Sequence, residues 1–120
     1  MTTNSPVILI VSRADDRLFL VPCRRVLEKN GYRTVSVSTL GLAVSLALKD
    51  RVSLIVVDKS FTEAEQEAFI DCLHESHADI HVLRLRESIA PQFLLADCKS
   101  ILSAHPGAAN VHGFEYRRAS

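Results

Sequence analysis

The segment Ser53–Asp58 constrains the fold of this chain more than any other stretch. It reads Ser-Leu-Ile-Val-Val-Asp, an apolar run that ends in a carboxylate. A run rich in β-branched residues and without polar alternation is typical of a strand that is buried on both faces inside a parallel sheet. Because ligands and chemistry gather at the carboxyl ends of parallel strands, Asp58 is the first candidate for a functional residue.

The rest of the chain alternates between strand-like and helix-like patterns. Val7–Val11 is a second unbroken apolar run, whereas residues 33–38 alternate polar and apolar side chains, as strands near a sheet edge do. Thr62 and Glu65 form a capping-box signature before the third helical pattern. We predict strands at 7–11, 33–37, 53–57 and 80–85, and helices over most of 17–29, 40–49, 62–75 and 91–103.

This alternation predicts an α/β fold, in which right-handed crossovers build a doubly wound parallel sheet with helices on both faces. We expect one domain over residues 7–114, between a tail of residues 1–6 and a tail of residues 115–120. Within it, a last short strand is predicted at 109–114, and the few residues that follow leave a fifth helix short or missing. In an alternative assignment, residues 92–96 form the fifth strand and a stub of the fifth helix follows.

Composition narrows the functional classes. Lys+Arg and Asp+Glu both number 14, so bulk charge favours neither a nucleic-acid nor a membrane partner. The three cysteines, Cys23, Cys72 and Cys98, are scattered as reduced intracellular thiols usually are. The first residues lack the pattern of a signal peptide, so we expect a cytoplasmic protein.

Carboxylates follow two of the predicted interior strands. Asp58 ends one strand, and Asp15 and Asp16 come shortly after another. Neighbouring parallel strands bring their carboxyl ends together, and three carboxylates there would suit a hard divalent cation such as Mg²⁺. In the alternative interpretation, Asp15 or Asp16 caps the following helix and Asp58 caps a turn.

Other chemistries have weaker support. Cys72, His74, His77 and His81 are candidate zinc ligands, but their spacing fits no closed zinc motif. Ser60 lacks the context of a nucleophile elbow, and the chain has no glycine-rich phosphate loop. We therefore do not expect an enzyme.

Taken together, these segments resemble the receiver domain of two-component response regulators. The likeness covers roughly residues 7 to 86, in order and with nearly the spacing of the family. The matching segments are Val7–Val11, Asp15–Asp16, Val26–Tyr32, Leu54–Asp58 and Asp79–Leu83.

The resemblance implies a flavodoxin-like fold with strand order 2-1-3-4-5. It places Asp58 at the phosphoacceptor position, and it implies Mg²⁺ as cofactor and a histidine kinase or another signalling protein as partner. Counting back from Gly31 and Tyr32 places Asp15 and Asp16 at the metal-binding acidic pair. Counting forward from the first strand instead places Ser12 and Arg13 there.

Two departures from the family pattern concern its switch residues. Arg86 aligns where the family has a small hydroxyl residue, Ser88 is the nearest hydroxyl, and no lysine follows Lys99. An acceptor without these partners is typical of atypical or pseudo-receivers. We predict a single-domain atypical receiver in phosphorelay signalling that acts through protein contacts. The alternative is a structural or dimerisation module that works without phosphorylation. For Arg86 there are two interpretations: it pairs with Asp58 and closes the site without phosphate, or it is a solvated arginine of the loop.

A missing fifth helix would leave one sheet face partly uncovered, and large exposed apolar patches are uncommon in monomers. We therefore expect a homodimer whose interface includes residues 91–114, with Phe93, Leu94 or Phe114 buried across it.

Overall fold

A computed structural model describes residues 6–13, 17–49, 52–76, 80–85, 90–102 and 114–119, with the backbone alone for 17–19 and 114–119. The strands are β1 (Val7–Val11), β2 (Arg33–Val37), β3 (Leu54–Val57), β4 (Ile80–Leu85) and β5 (Phe114–Ala119). The helices are α1 (Arg17–Lys29), α2 (Leu40–Lys49), α3 (Glu63–Glu75) and α4 (Pro91–Leu102). The bounds of β1 to β4 and of the helices agree with the predictions to within one residue.

One sheet organises the molecule, with the strand order β2-β1-β3-β4-β5. The pairs β1–β2, β1–β3 and β3–β4 are all parallel, and the residues of β3 are fully buried. The predicted α/β class, flavodoxin-like architecture and strand order are therefore confirmed. The apolar run Leu54–Val57 lies at the centre of the sheet, as predicted, and helices cover both of its faces.

Local signals set the helix boundaries as the sequence indicates. Gly31 follows α1 with a φ of 91°, a left-handed conformation that glycine adopts without steric strain. The Oγ1 of Thr39 accepts a hydrogen bond from the backbone N–H of Leu42 at 3.1 Å, which caps α2. Helix α1 continues through Pro22, because packing against the sheet outweighs the intrinsic penalty of an internal proline.

The core is divided into two layers by the sheet. Residues of α1 and α4 pack on one face of it, in a cluster that includes Ile8, Cys23, Leu27, Leu94 and Cys98. Residues of α2 and α3 pack on the other face, in a cluster that includes Leu9, Ala43, Phe69, Ile70 and Leu73. Burial raises the pKa of the Cys98 thiol well above its ordinary range, and the charge of Asp97 adds to this effect, so Cys98 behaves as a core residue.

Helix α4 corrects one expectation. The face beside α1 does not lack cover, since α4 packs against α1 there, and the alternative strand at 92–96 is wrong because these residues are helical. The apolar positions of α4 recur at helical spacing, which buries Leu94 inside the protomer. Leu94 is thus unable to be buried across an interface, whereas Phe93, at 43% exposure, remains on the surface.

Strand β5 corrects a second expectation. The predicted strand at 109–114 overlaps β5 at Phe114, and its other residues, 109–113, lie outside the described residues. Residues 115–119, which we predicted to be a tail, belong to the strand. β5 pairs antiparallel with β4, in a register that joins Leu83 to Tyr116. An edge strand tolerates charged residues because it is paired on one side only. None of the described helices combines the length and apolar character needed to cross a membrane.

The packing of α4 is testable by truncating its buried leucine. Leu94→Ala should lower the free energy of unfolding by about 2–5 kcal/mol, because the substitution leaves a cavity between α4 and the sheet. Phe93→Ala, at the neighbouring exposed position, should change it by no more than about 0.5 kcal/mol. Urea unfolding of both variants gives the comparison, and equal small effects would show that α4 does not cover this face.

Candidate functional site

Asp58 lies at the carboxyl edge of the sheet, where the sequence places it. It directly follows β3, and its backbone N–H donates to the carbonyl of Val11 at 2.9 Å. The parallel pairing of β1 with β3 thus continues one residue past the end of β3. The side chain is only 6% exposed, so its carboxylate is held within the structure instead of extending into solvent.

Ser12 provides the first contact to this carboxylate. Its backbone N–H donates to the carbonyl of Val37 at 3.1 Å, which fixes it at the end of β1. Its hydroxyl donates to Oδ2 of Asp58 at 2.9 Å, and both side chains are buried. A hydrogen bond to a buried carboxylate is charge-assisted and stronger than one between neutral groups. Of the two positions counted from the sequence, the forward count therefore gives a residue that contacts Asp58.

Arg13 joins the loop after β1 to the loop after β3. Its backbone N–H donates to Oγ of Ser60 at 2.9 Å. Its guanidinium lies 4.9 Å from the centre of the Phe61 ring and forms an ion pair with Glu65. This ion pair is solvent-exposed, so its effect is mainly to orient Arg13 and not to stabilise the fold. The result is a pair of opposite charges, Arg13 and Glu65, on the surface beside these two loops.

Glu65 has two roles in this arrangement. It completes the predicted capping box, because Thr62 N–H donates to Oε1 of Glu65 at 2.8 Å and Glu65 N–H donates to Oγ1 of Thr62 at 3.1 Å. The backbone hydrogen bond from Thr62 lowers the pKa of Glu65, and the side chain of Arg13 lowers it further. The carboxylate therefore stays ionised opposite Arg13.

A series of buried hydrogen bonds fixes the loop after β3, and it was not predicted from the sequence. Nε2 of Gln66 donates to the backbone carbonyl of Asp58 at 3.0 Å, and Oε1 of Gln66 accepts from Nε of Arg84 at 2.9 Å. Arg84 is 1% exposed and its Nη1 lies 2.5 Å from Oε1 of Glu67. The missed signal was available, because an arginine inside an apolar strand requires acceptors, and α3 carries Gln66 and Glu67.

Of the predicted site residues, the structure places only Asp58. Asp15, Asp16, Arg86 and Ser88 lie outside the described residues. Among the residues that are described, no group of three or more His, Cys, Asp or Glu side chains is arranged to hold a metal ion. Among the described residues, the hydroxyl of Ser12 contacts the Asp58 carboxylate. This contact suits a hydrogen-bonded carboxylate, and a divalent cation would need further acidic ligands.

The protein was compared with known families and structures. No family model matches the chain, and no curated protein matches it. A response regulator receiver domain protein (CheY-like) from Methanospirillum hungatei matches with a TM-score of 0.71 and 18% identity over 88% of this chain and 99% of that one. The signal receiver domain of an HD domain-containing protein from Pseudomonas fluorescens matches with a TM-score of 0.68 and 14% identity over 87% and 99%. The fold is that of a CheY-like receiver domain.

A third structure agrees with this assignment of the fold. The signal receiver domain of a putative LuxO repressor protein from Vibrio parahaemolyticus matches with a TM-score of 0.62 and 15% identity over 90% of this chain and 95% of that one. Each of these three matches spans nearly the whole of the other chain. At these identities the likeness concerns the fold, and the chemistry has to be argued from the residues.

The contact between Ser12 and Asp58 is testable through stability. Ser12→Ala removes the donor and leaves a buried carboxylate oxygen without it, which should lower the free energy of unfolding at neutral pH by about 1.5–3 kcal/mol. Ser45→Ala, on the exposed side of α2, is the matched control and should change it by no more than about 0.5 kcal/mol. Equal values for the two variants in urea unfolding would rule out a stabilising hydrogen bond at Asp58.

Proposed function

We propose that this chain is an atypical receiver module of phosphorelay signalling that acts through contacts with other proteins. The observation that carries the proposal is the location of Asp58, a buried carboxylate at the carboxyl edge of the central strand in a receiver fold. In the family that the sequence resembles, this location belongs to the phosphoacceptor. The proposed partners are a histidine kinase or another signalling protein, and the module needs no catalytic activity towards a small-molecule substrate.

In the proposed transfer, a carboxylate oxygen of Asp58 attacks the phosphorus of the donor. A new oxygen–phosphorus bond forms an acyl phosphate, and the bond between phosphorus and the leaving group of the donor breaks. The incoming group adds negative charge next to a buried acid, so a cation has to offset the repulsion. We propose that Mg²⁺ supplies this charge, held by Asp58 together with Asp15 and Asp16.

Contacts at the same site support the proposal that the change in conformation on phosphorylation is impaired. Oδ2 of Asp58 is already engaged by Ser12, and the loop after β3 is fastened through Gln66 to Arg84. We propose Arg86 and Ser88 as the switch positions, where the family has other residues. The hydroxyl and the lysine that meet the phosphoryl group in the family are absent at their aligned positions. Each charge-assisted hydrogen bond lost in this way weakens the phosphorylated state by about 1.5–3 kcal/mol. Losses of that size uncouple phosphorylation from a change in conformation.

A second candidate function is a contact module that never requires phosphorylation. The specific observation in its favour is the hydrogen bond from Ser12 to Asp58, together with the 6% exposure of that side chain. These features give the carboxylate a structural role, in which it holds the ends of β1 and β3 together. The two candidates share the fold and the mode of action and differ in whether Asp58 is modified.

Treatment with acetyl phosphate and Mg²⁺ separates the candidates. We expect incomplete modification of the native protein by intact mass, no modification of Asp58→Asn, and no widespread amide shifts in NMR spectra. The reason is that the engaged carboxylate reacts slowly and the fastened loop transmits little.

Two other outcomes are decisive. Stoichiometric modification with shifts around Arg86 and Ser88 would show that ordinary switching is intact. Complete absence of modification, with Asp58→Asn and the native protein behaving alike, would favour the module that requires no phosphorylation.

A further inference from the structure

The outer side of β2 carries backbone groups that point away from the sheet. β2 is at the end of the strand order, and among the described residues only β1 pairs with it. Arg33 N–H donates to the carbonyl of Pro6, and the carbonyl of Val37 accepts from Ser12 N–H, so these two residues face β1. Backbone groups alternate along a strand, and therefore the N–H and C=O groups of Thr34 and Ser36 face outward.

Apart from Arg33, the side chains of β2 on the α2 face are apolar. Val35 is 40% exposed and lies on that face, because it pairs with Leu9 of the cluster shared by α2 and α3. Leu42 of α2 is 53% exposed and lines the same depression as Ser36 and Val37. Natural edge strands are usually protected by central charges, prolines or bulges. Here the strand contains a single charged residue, Arg33, at its first position.

We propose that this edge binds a second copy of the chain, with the two β2 strands antiparallel and related by a two-fold axis at Val35. In this register Thr34 lies opposite Ser36 of the second copy, and Ser36 lies opposite its Thr34. The outward N–H and C=O groups of both residues then pair as in an antiparallel ladder. Val35 faces Val35 of the second copy in the closely spaced, non-hydrogen-bonded position, where side chains contact each other best.

The charges of the strand are compatible with this register. Arg33 falls opposite Val37 of the second copy, and the two Arg33 residues are about 13 Å apart at a rise of about 3.3 Å per residue. No like charges therefore face each other within the paired segment. On the α1 face, Thr34 lies opposite Ser36 of the second copy, and its hydroxyl stays hydrogen-bonded to Arg24 and Glu28 of α1 at 3.0 and 2.5 Å. The strand is complementary to itself in backbone, side chains and charge, which favours a second copy over an unrelated partner.

This interface differs from the one predicted from the sequence, and it does not depend on the proposed function. The homodimer itself remains a prediction. The interface predicted from the sequence included Leu94, which is buried within the protomer. The interface proposed here lies at β2, at the opposite edge of the sheet from β5. A two-fold axis normal to the sheet places both α2 helices on one face. The exposed Leu42 of each copy then lies on the same face of the sheet as the contact between the two Val35 side chains.

Sedimentation equilibrium of the full chain tests the proposal with matched variants. Val35→Lys places two like charges next to each other at the axis, and the dimer dissociation constant should rise at least about tenfold. Val21→Lys changes a valine of similar exposure, 38%, on α1 and should dimerise like the native protein. Circular dichroism and urea unfolding verify that both variants fold.

Hydrogen exchange provides a second readout. In the native protein, exchange at the amides of Thr34 and Ser36 should slow as protein concentration rises, and this dependence should disappear in Val35→Lys. A native protein that stays monomeric at the highest soluble concentration would overturn the proposal. So would a folded Val35→Lys variant that dimerises as tightly as the native chain, or dimerisation that is lost in Phe93→Lys alone.

Discussion

The parallel pairing of β1 with β3 is the constraint on which the site depends. The register joins Val11 to Val57, and one further hydrogen bond, from Asp58 N–H to the carbonyl of Val11, continues the pairing one residue past β3. Ser12 and Asp58, the residues that follow β1 and β3, are thereby held beside each other. Ser12 and Asp58 meet because the backbone brings them together, and the hydrogen bond between their side chains completes an arrangement that the sheet has already imposed.

A second set of interactions limits what the site can do. The carbonyl of Asp58, the amide of Gln66 and the guanidinium of Arg84 form one buried chain from the loop after β3 to β4. Buried polar groups that are satisfied in this way are costly to disrupt, because each broken bond leaves a desolvated group behind. A loop fastened to a neighbouring strand resists displacement. This is the physical reason for expecting protein contacts that do not require a large rearrangement at Asp58.

Most of the architecture was predictable because the signals were local and periodic. The uninterrupted run at Leu54–Val57 and the capping box at Thr62 each predict one structure only. The position of Asp58 followed from the same reasoning. Arg84 was missed because its partners come from α3, and a strand pattern does not show which side chains will face it. The antiparallel β5 and the covering role of α4 depend on the path of the chain, which local periodicity does not specify.

The two ways of counting to the acidic pair illustrate the limit of a resemblance. Both use the same sequence, and they differ by about two residues in where the loop after β1 is placed. In the structure the residue next to Asp58 is Ser12, which the forward count gives, because β1 ends at Val11 and Ser12 follows it directly. Ser12 brings a hydrogen-bond donor to Asp58, so acidic ligands for a cation would have to come from other residues.

Ser12 lies at hydrogen-bond distance from Asp58, so an acid at this position would be close enough to share a cation with it. The most direct test is the Mg²⁺ affinity of Ser12→Asp, measured by titration of amide NMR signals and compared with the native protein and with Ser12→Asn. A second carboxylate beside the first should tighten Mg²⁺ binding at least about tenfold, and the neutral variant should show no gain. Equal affinities of the native protein and Ser12→Asp would contradict the account, because they would mean that Ser12 lies away from the cation.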